Sequence, residues 1–402
     1  MIAIVGAGLA GLSCALALHR RGREFLVLEA SDSVGGRQKT THAGGFTLDH
    51  GFQVVLESYK SVREVVDISS LRPQRFQSGA LVFPGGRQSY LCSPFENPAA
   101  ACFSPALPLA DKLRLALLGV ETLSTPDARL VSRCAGTADT TVLEFLTRRG
   151  FNTESIDCFF RPFFGGVLLD EELCSSAGLF LYYLKKFATG HAWLPERGIQ
   201  ALPESIASQL PPGSVRTGAR VAALSGKTIT LDTGETITPE KTVLAVDEPS
   251  LCRLLGVEPP APARSVAVVY FKSRESLYPH RCIALPPGRG RTVRHFVQLT
   301  NIAPSFAPSG WHLVSATILG GSVSDAAARA AAEIAEFFPS AARCLEHLET
   351  IHVPYAVPAQ PPGFAAKEPP ALPPDVHACG DWRNGASIES AIRSGLDLAK
   401  DL

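Results

Sequence analysis

Near the start of the chain, the hydrophobic positions are spaced first as in a buried strand and then as in a helix. Residues 2–5 form a short apolar run (Ile-Ala-Ile-Val), which predicts a buried strand. From residues 12–21 the apolar side chains recur at helical spacing, and Gly22 is placed to end that helix. A second apolar run, residues 25–28, leads directly into Glu29. This pattern predicts a strand, a turn, a helix and a second strand, which is the beginning of an α/β domain.

The predicted turn reads Gly-Ala-Gly-Leu-Ala-Gly and places glycines at positions 6, 8 and 11. In this context Gly6 allows the tight turn, Gly8 lets a pyrophosphate approach the backbone, and Gly11 lets the helix pack closely on the strand. The helix N-terminus offers free N–H groups to phosphates, and Glu29 would accept hydrogen bonds from a ribose. An ordinary glycine-rich turn is the alternative, but the flanking strands and the acid favour dinucleotide binding.

The rest of the chain contains further segments whose hydrophobic spacing predicts strands and helices. Residues 73–110 are rich in proline and glycine, which indicates the entry to a second domain. Strands are expected within 46–55, 215–224, 241–246, 266–271, 296–299, 312–318 and 351–357, a hairpin at 228–238, and helices near 58–66, 107–123, 141–149, 179–187, 202–210, 326–337 and 391–396.

Composition narrows the possible classes of protein. A chain of 402 residues is too long for one ordinary core, so two domains are expected. The 38 basic and 38 acidic residues cancel, which gives a nucleic-acid partner no electrostatic support. The ten cysteines contain no CxxC pair, so we predict no metal site and expect reduced, buried thiols in the cytoplasm. We expect neither a membrane-spanning segment nor a signal peptide, because no apolar run is long enough and the first strand begins at once.

Three further segments carry recognisable motifs. Residues 35–37 read Gly-Gly-Arg, residues 380–382 read Gly-Asp-Trp, and residues 387–391 read Ser-Ile-Glu-Ser-Ala. Together with the glycine turn and Glu29, they resemble the FAD-dependent amine oxidase superfamily, which includes protoporphyrinogen oxidases and carotenoid (phytoene) desaturases. NAD is the competing cofactor for the first turn alone, but the motifs that follow favour FAD. The resemblance is specific for the cofactor and not for the substrate.

The resemblance implies an α/β fold made of two interleaved domains. One is a Rossmann-like FAD-binding domain of the GR2 type, and the other is an α+β substrate domain containing a mixed or antiparallel sheet. The FAD-binding domain would comprise residues 1–72, 190–263 and 352–402. The substrate domain would comprise residues 73–189 and 264–351.

The resemblance also implies which residues contact FAD. Arg37 would contact the phosphates, Asp381 would accept hydrogen bonds from the ribityl chain, and the backbone of Val221 would pair with the adenine. A helix beginning near Ile388 would direct its N-terminus at the pyrimidine end of the flavin and stabilise negative charge there. The full expected set is Gly6, Gly8, Leu9, Ala10, Gly11, Glu29, Gly36, Arg37, Val221, Gly380, Asp381, Ser387 and Ile388.

Two positions depart from the amine oxidases. Where those enzymes commonly place a lysine near flavin N5, this chain aligns Val266, and where they place an aromatic cage residue it has Ser387. The resemblance therefore implies an FAD-dependent oxidoreductase that removes hydride from an apolar, carotenoid-like or other lipid-like substrate. The alternatives are a flavin oxidase of a tetrapyrrole or an amine, a redox-neutral FAD-dependent isomerase, and a non-catalytic flavin-binding chaperone or scaffold.

Four residues are weak catalytic candidates. His50 and Gln53 follow the strand expected beneath the flavin, where they would form a proton relay, a substrate contact or a structural pair. Arg161 lies among four phenylalanines that would form either a core or an apolar substrate wall, and His191 lies near the expected return to the FAD-binding domain. Electrons would leave to oxygen, a quinone or a carrier. The predicted helix at 107–123 is either a packed helix or a peripheral contact with a membrane surface.

Overall fold

The computed structural model describes residues 1–92, 101, 104–258, 263–320, 324–366, 370–382 and 384–402. Thirteen α-helices have their bounds within these ranges. In chain order α1 to α13 are Leu9–Arg20, Lys60–Val65, Leu109–Ser124, Asp127–Arg133, Val142–Arg148, Thr153–Ser155, Arg161–Val167, Ala177–Ala188, Ala201–Ala207, Glu248–Leu255, Ala326–Phe337, Pro339–Ala342 and Ile388–Leu398.

The same ranges contain twenty strands. In chain order β1 to β20 are Ile2–Val5, Phe25–Leu28, Thr40–Ala43, Phe46–Asp49, Val55–Leu56, Gln74–Arg75, Gly79–Val82, Ser89–Cys92, Ala192–Leu194, Val215–Arg216, Val221–Ser225, Thr228–Leu231, Thr236–Ile237, Lys241–Leu244, Ala263–Ser273, Ile283–Leu285, Val293–Gln298, His312–Leu319, Glu346–Pro358 and Val376–Ala378.

Within 46–55 the predicted strand is confirmed as β4, and the chain turns after it at Gly51, whose φ is 99°. The predicted strand at 215–224 is wrong in extent, because the chain divides into β10 and β11 with Gly218 at a φ of 65° between them. A left-handed glycine redirects the backbone without disturbing the apolar pattern on either side. The predicted helix at 326–337 is confirmed as α11.

A five-stranded parallel sheet holds the N-terminal part of the chain, in the order β10-β2-β1-β14-β20. Successive side chains of β1 point to opposite faces, as a strand requires. Ile2 and Ile4 pack in the core formed with α1, α9 and α13, whereas Ala3 and Val5 pack against the three-stranded sheet β11-β12-β13 and α10. Both faces are covered, so the strand is apolar throughout.

A seven-stranded sheet in the order β19-β15-β18-β17-β16-β7-β8 forms the second large layer. Its neighbouring strands are antiparallel except for the parallel pair β16 and β7. Ala267 and Val269 of β15 pack with the alanine-rich α11 on one face, and Val268 packs on the other face with Phe46 and Leu48 of β4. The predicted fold class, an α/β fold with an additional mixed sheet, is confirmed, while the exact domain boundaries remain a sequence-based prediction.

The cysteines are only partly as expected. Seven of the nine in the described ranges are buried, but Cys174 and Cys344 are exposed, so the expectation of uniformly buried thiols is wrong for these two. Both lie outside the sheets, where no core demands a small apolar side chain. Within the described ranges no helix combines the length and the apolar character needed to cross a membrane.

Close contact between α1 and α13 depends on glycine. A Cβ at Gly395 of α13 would collide with the carbonyl oxygen of Ala10, and a Cβ at Gly11 of α1 would collide with the carbonyl oxygen of Gly6. The two helices and the first turn therefore approach closely only because these positions lack side chains. Packing of this kind leaves no room for relaxation, so added volume must displace backbone.

We predict that Gly395→Ala lowers the free energy of unfolding by about 2 kcal/mol or more, because overpacking forces the two helices apart. Gly119→Ala is the matched control, since Gly119 also lies inside a helix and a Cβ there would meet no atom of the described structure within 4 Å. The control should be neutral or more stable by up to about 1 kcal/mol. Denaturant unfolding of both variants measures the difference, and equal stability would contradict the packing described here.

Candidate functional site

One large cavity, of about 1100 Å³, lies between the two large sheets. It opens at the carboxyl ends of β1, β2, β14 and β20, where ligands of parallel α/β sheets usually bind. Fourteen of the residues singled out in the sequence line this cavity: Gly6, Gly8, Leu9, Ala10, Glu29, Gly36, Arg37, His50, Gln53, Val221, Gly380, Asp381, Ser387 and Ile388. Gly11, Arg161 and His191 do not line it.

The glycine turn forms one end of the cavity. Gly8 is the N-terminal cap of α1, and no described atom lies within 4 Å of the position that a Cβ would take there. Gly6 needs its φ of 104°, and a Cβ on it would lie 2.6 Å from the carbonyl oxygen of Ala245. Gly11 faces this turn rather than the cavity, so its contribution is helix packing. The turn therefore leaves open space and free backbone N–H groups where a phosphate would bind.

Glu29 lies beside this turn at the end of β2 and is buried. Its Oε2 accepts a hydrogen bond from the backbone N–H of Ala7 at 2.7 Å, and its Oε1 accepts one from Ser31 at 2.8 Å. These bonds fix the carboxylate in one orientation at the cavity wall. Each oxygen keeps a second acceptor position, so the group can still receive a ribose hydroxyl.

The two ends of the chain meet through an ion pair. Arg37 donates from Nη2 to Oδ1 of Asp381 at 2.5 Å and from Nη1 to the carbonyl oxygen of Ala356 at 2.9 Å. Burial alone would lower the pKa of Arg37, but the Asp381 carboxylate outweighs that effect and raises the pKa above its ordinary value. Arg37 is therefore a fixed positive charge at the cavity, and it orients Asp381 toward the same space.

The segment after β4 is held by the amide of Gln53. Its Nε2 donates to the carbonyl oxygens of Arg37 at 2.8 Å and His50 at 2.9 Å, and its Oε1 accepts from Gln38 at 3.1 Å. His50 shares a hydrogen bond of 2.9 Å with the Thr41 hydroxyl, and burial and then Lys39 lower its pKa. Both side chains line the cavity while holding this loop in place, and Gln53 links the loop directly to Arg37.

The N-terminus of α13 closes the opposite side. Its cap residue Ser387 accepts a hydrogen bond from Ser390 N–H at 3.0 Å, and the preceding Ala386 is fixed at both backbone groups. Gln360 accepts from the Ala386 N–H at 3.2 Å, and the Tyr183 hydroxyl donates to the Ala386 carbonyl at 2.8 Å. Tyr183 is a cavity residue that carried no distinguishing sequence signal, because it sits in an apolar helix and reads as core packing.

Aromatic side chains supply a large part of the apolar wall. Phe159, Phe163 and Phe164 line the cavity, and the first two stack with their ring centroids 5.7 Å apart. Arg161, a weak catalytic candidate from the sequence, does not line the cavity, so the structure does not support that role. It is buried and turned away to Asp157, whose carboxylate accepts from its Nε at 2.8 Å. Since an unpaired buried guanidinium is costly, its ion pair determines where it points.

His191 and Val266 also occupy defined places. The Nδ1 of His191 lies 3.1 Å from the Ser78 hydroxyl, so this histidine contacts a cavity residue without lining the cavity itself. Val266 lies on the wall formed by the seven-stranded sheet. Val266 is therefore an apolar wall residue at the position that aligns with the lysine of the amine oxidases.

Two polar residues of the same wall were not identified from the sequence. His295 and Thr317 line the cavity from adjacent strands, β17 and β18, and both are buried. Burial, and then Arg294, lowers the pKa of His295 to about 3, so the imidazole is neutral. The available signal was a histidine beside the apolar run Phe296–Val297, a pattern that more often marks a core residue.

These residues fit FAD. The open space beside Gly8 and the N-terminus of α1 suit the diphosphate, the Glu29 carboxylate suits the adenosine ribose, and Asp381 suits the ribityl hydroxyls. The cavity extends from these groups to the aromatic wall, so a flavin and a second molecule would share one continuous space. The N-terminus of α13 borders the same space.

Comparison with known proteins agrees with this chemistry. A family model described as flavin containing amine oxidoreductase matches residues 9–402. Protoporphyrinogen oxidase 2, chloroplastic/mitochondrial, of Arabidopsis thaliana is 30% identical over 169 residues, which are 41% of this chain and 32% of that protein. Phytoene dehydrogenase of Streptomyces griseus is 26% identical over 387 residues and covers 78% of this chain and 71% of its own length.

The solved structures support the fold. The crystal structure of an oxidoreductase from Methanosarcina mazei covers 99% of both chains with a TM-score of 0.76 at 16% identity. At that identity the likeness concerns the fold alone. The match to the plant relative spans about a third of that protein's length, so it does not transfer that protein's substrate. The chain belongs to the flavin-containing amine oxidoreductase family and is an FAD-dependent oxidoreductase.

Proposed function

We propose that this enzyme removes hydride from an apolar, carotenoid-like or other lipid-like substrate. The observation that carries the proposal is the shared cavity, in which an aromatic and aliphatic wall faces the residues that fit FAD. An apolar wall of this kind binds hydrocarbon by excluding water and offers few groups to a charged amine. The resemblance of the chain to a protein named phytoene dehydrogenase supports the same choice.

When bound, FAD supplies the acceptor for the hydride. The residues of this chain bind and orient the reactants. Glu29 would hold the adenosine ribose, and Arg37 with the first turn of α1 would neutralise the phosphates. The N-terminus of α13 would stabilise negative charge at the pyrimidine end of the flavin, an effect of about 0.3–1 kcal/mol at an exposed site and more when buried.

The wall itself needs only to position the C–H bond that is broken. With Val266 in place of a lysine, the described residues that line the cavity from the seven-stranded sheet include no lysine or arginine to hold a water near the reacting carbon. Positioning can account for a large part of the acceleration of such a reaction. Desaturation of a polyene needs a hydride acceptor and an enclosed apolar site more than it needs a strong base, which is why this chemistry suits the site.

The proposal is tested by anaerobic reduction of the bound flavin. We predict that phytoene bleaches the visible flavin absorbance and that the product has lost two hydrogen atoms by mass spectrometry. Putrescine, a diamine, should leave the absorbance unchanged, because Val266 and Ser387 stand at the positions that align with the lysine and the aromatic cage residue of the amine oxidases. Readmission of oxygen, or addition of a quinone, then identifies which acceptor restores the absorbance.

Each rival function has its own outcome in that experiment. Bleaching by putrescine or protoporphyrinogen but not by phytoene would contradict the proposal in favour of an amine or tetrapyrrole oxidase. Conversion of phytoene without a net electron acceptor would indicate an isomerase. A flavin that no candidate reduces would indicate a binding protein without redox chemistry.

We further propose that α3 contacts a lipid surface from which the substrate enters. Leu109, Leu113, Leu117 and Val120 are 67%, 59%, 71% and 67% exposed, although they are large and apolar. They recur at helical spacing and so form one exposed stripe. Three of them, all but Leu117, also line the cavity, so the stripe is continuous with the substrate wall. A lipid surface would cover the stripe and deliver apolar substrate directly.

We predict that Leu117→Glu weakens co-sedimentation with phosphatidylcholine vesicles by about tenfold or more, since a buried leucine side chain contributes about 1.5–3 kcal/mol. Leu117 is the right position because it lies on the stripe and does not line the cavity. Val257→Glu is the control, because Val257 is an exposed apolar residue outside the stripe. Equal binding by both variants and the wild type would rule out this surface.

A further inference from the structure

The apolar wall contains one paired polar position. His295 of β17 and Thr317 of β18 are direct partners in the register of the two antiparallel strands, and both line the cavity. His295 is 5% exposed and Thr317 is 2% exposed. Their side chains therefore stand side by side on the wall, far from the polar surface where such residues usually lie.

Neither side chain is satisfied by the protein. Within the described residues, His295 Nε2 and Thr317 Oγ1 are both shielded from solvent and have no hydrogen-bond partner. Buried polar groups are nearly always paired, because an unpaired one loses its hydration without compensation. Two such atoms on neighbouring positions of a cavity wall indicate a partner that the protein alone does not provide.

The packing around the imidazole is specific. Phe52 contacts the ring edge to face with the centroids 4.9 Å apart, and Gly166 of α7 makes room for it, since a Cβ there would lie 2.6 Å from Nδ1. The neutral ring carries one N–H donor and one acceptor. The threonine hydroxyl can both donate and accept, and it turns about a single bond. Between them the two side chains can therefore donate a hydrogen bond to an oxygen atom bound beside them and accept one from it.

The neighbours of the pair make this position distinctive. Val266, Ala80 and Ile283 line the same wall and are apolar. A ligand that is hydrocarbon throughout would leave the two polar atoms unpaired, whereas one with a hydroxyl or carbonyl group at this depth would pair them. Hydrogen-bonding sites discriminate more strongly against a missing polar group than apolar sites do against a missing methylene.

We infer that His295 and Thr317 form a polar subsite that binds a hydroxyl or carbonyl oxygen of the substrate. The preferred substrate is thus an apolar molecule with an oxygen function, rather than a pure hydrocarbon. This inference rests on the proposed apolar substrate and narrows its class. Hydrocarbons still enter the cavity, but they bind more weakly because they leave the subsite unpaired.

Binding of two matched probes to the FAD-loaded enzyme tests the subsite. Farnesol and β-farnesene are isoprenoids of the same length, and only farnesol has a hydroxyl group. Equilibrium dialysis should show that the wild type binds farnesol about tenfold more tightly, in keeping with one or two buried hydrogen bonds. Thr317→Val keeps the shape of the side chain without its hydroxyl and should remove most of this preference. His295→Leu should do the same.

Ser315→Ala is the matched control. Ser315 lies on the same strand and also has a buried, unpartnered hydroxyl, but it does not line the cavity. This variant should keep the wild-type preference. Equal binding of the two probes by the wild type, or binding of neither, would overturn the inference. So would an unchanged preference in folded Thr317→Val, or an equal loss of preference in Ser315→Ala, which would mark the effect as structural.

Dialysis does not require turnover, so failure of the subsite and failure of the proposed function can be told apart. A farnesol preference together with a flavin that phytoene cannot reduce would retain the subsite and reject the proposed reaction. Reduction by phytoene without a farnesol preference would retain the reaction and reject the subsite.

Discussion

Close contact between the two ends of the chain is the constraint on which the site depends. Gly395 brings α13 against the first turn of α1, and the pair of Arg37 and Asp381 joins the loop after β2 to the segment after β20. Residues more than three hundred positions apart thereby form one wall. A side chain at the glycine, or loss of either charge, would disturb the contact between the groups that suit the two ends of FAD.

The cavity has a polar surface on one side and an apolar surface on the other. Beside the parallel sheet, backbone N–H groups and the fixed charges of Glu29, Arg37 and Asp381 suit a polar cofactor. Beside the seven-stranded sheet, aliphatic and aromatic side chains suit an apolar partner, with the pair of His295 and Thr317 as a polar exception. Because the polar groups on the cofactor side are already oriented by the protein, binding there requires little reorganisation.

The residues that suit FAD could be predicted from the sequence. The residues that suit an apolar substrate could not. Gly6 and Gly8 shape the backbone of the turn and the Glu29 carboxylate follows them at a fixed spacing, so a short motif specifies all three. The ends of some strands could not be predicted as well, since Gly218 turns the chain within a segment whose pattern predicts one strand.

Arg161 and His295 show most clearly what could not be predicted from the sequence. Each is a polar residue next to phenylalanine, yet the first is paired with Asp157 away from the cavity and the second lies on its wall. Their partners come from tertiary packing, which local periodicity does not record. The wall residues lie on strands whose register is set by distant segments, and no local motif marks them.

Whether the two chain ends act as one site is tested most directly by a double-mutant cycle on FAD affinity. The Kd of the apoprotein for FAD is measured for Arg37→Met, Asp381→Asn and the combined variant. Because the two side chains act as a hydrogen-bonded unit, each single change should weaken binding, and the combined change should weaken it by clearly less than the product of the two. Glu29→Gln combined with Asp381→Asn, which share no hydrogen bond, should give the simple product. Simple multiplication for Arg37 and Asp381 as well, or an unchanged Kd in Asp381→Asn, would contradict the joining of the two ends over one cofactor.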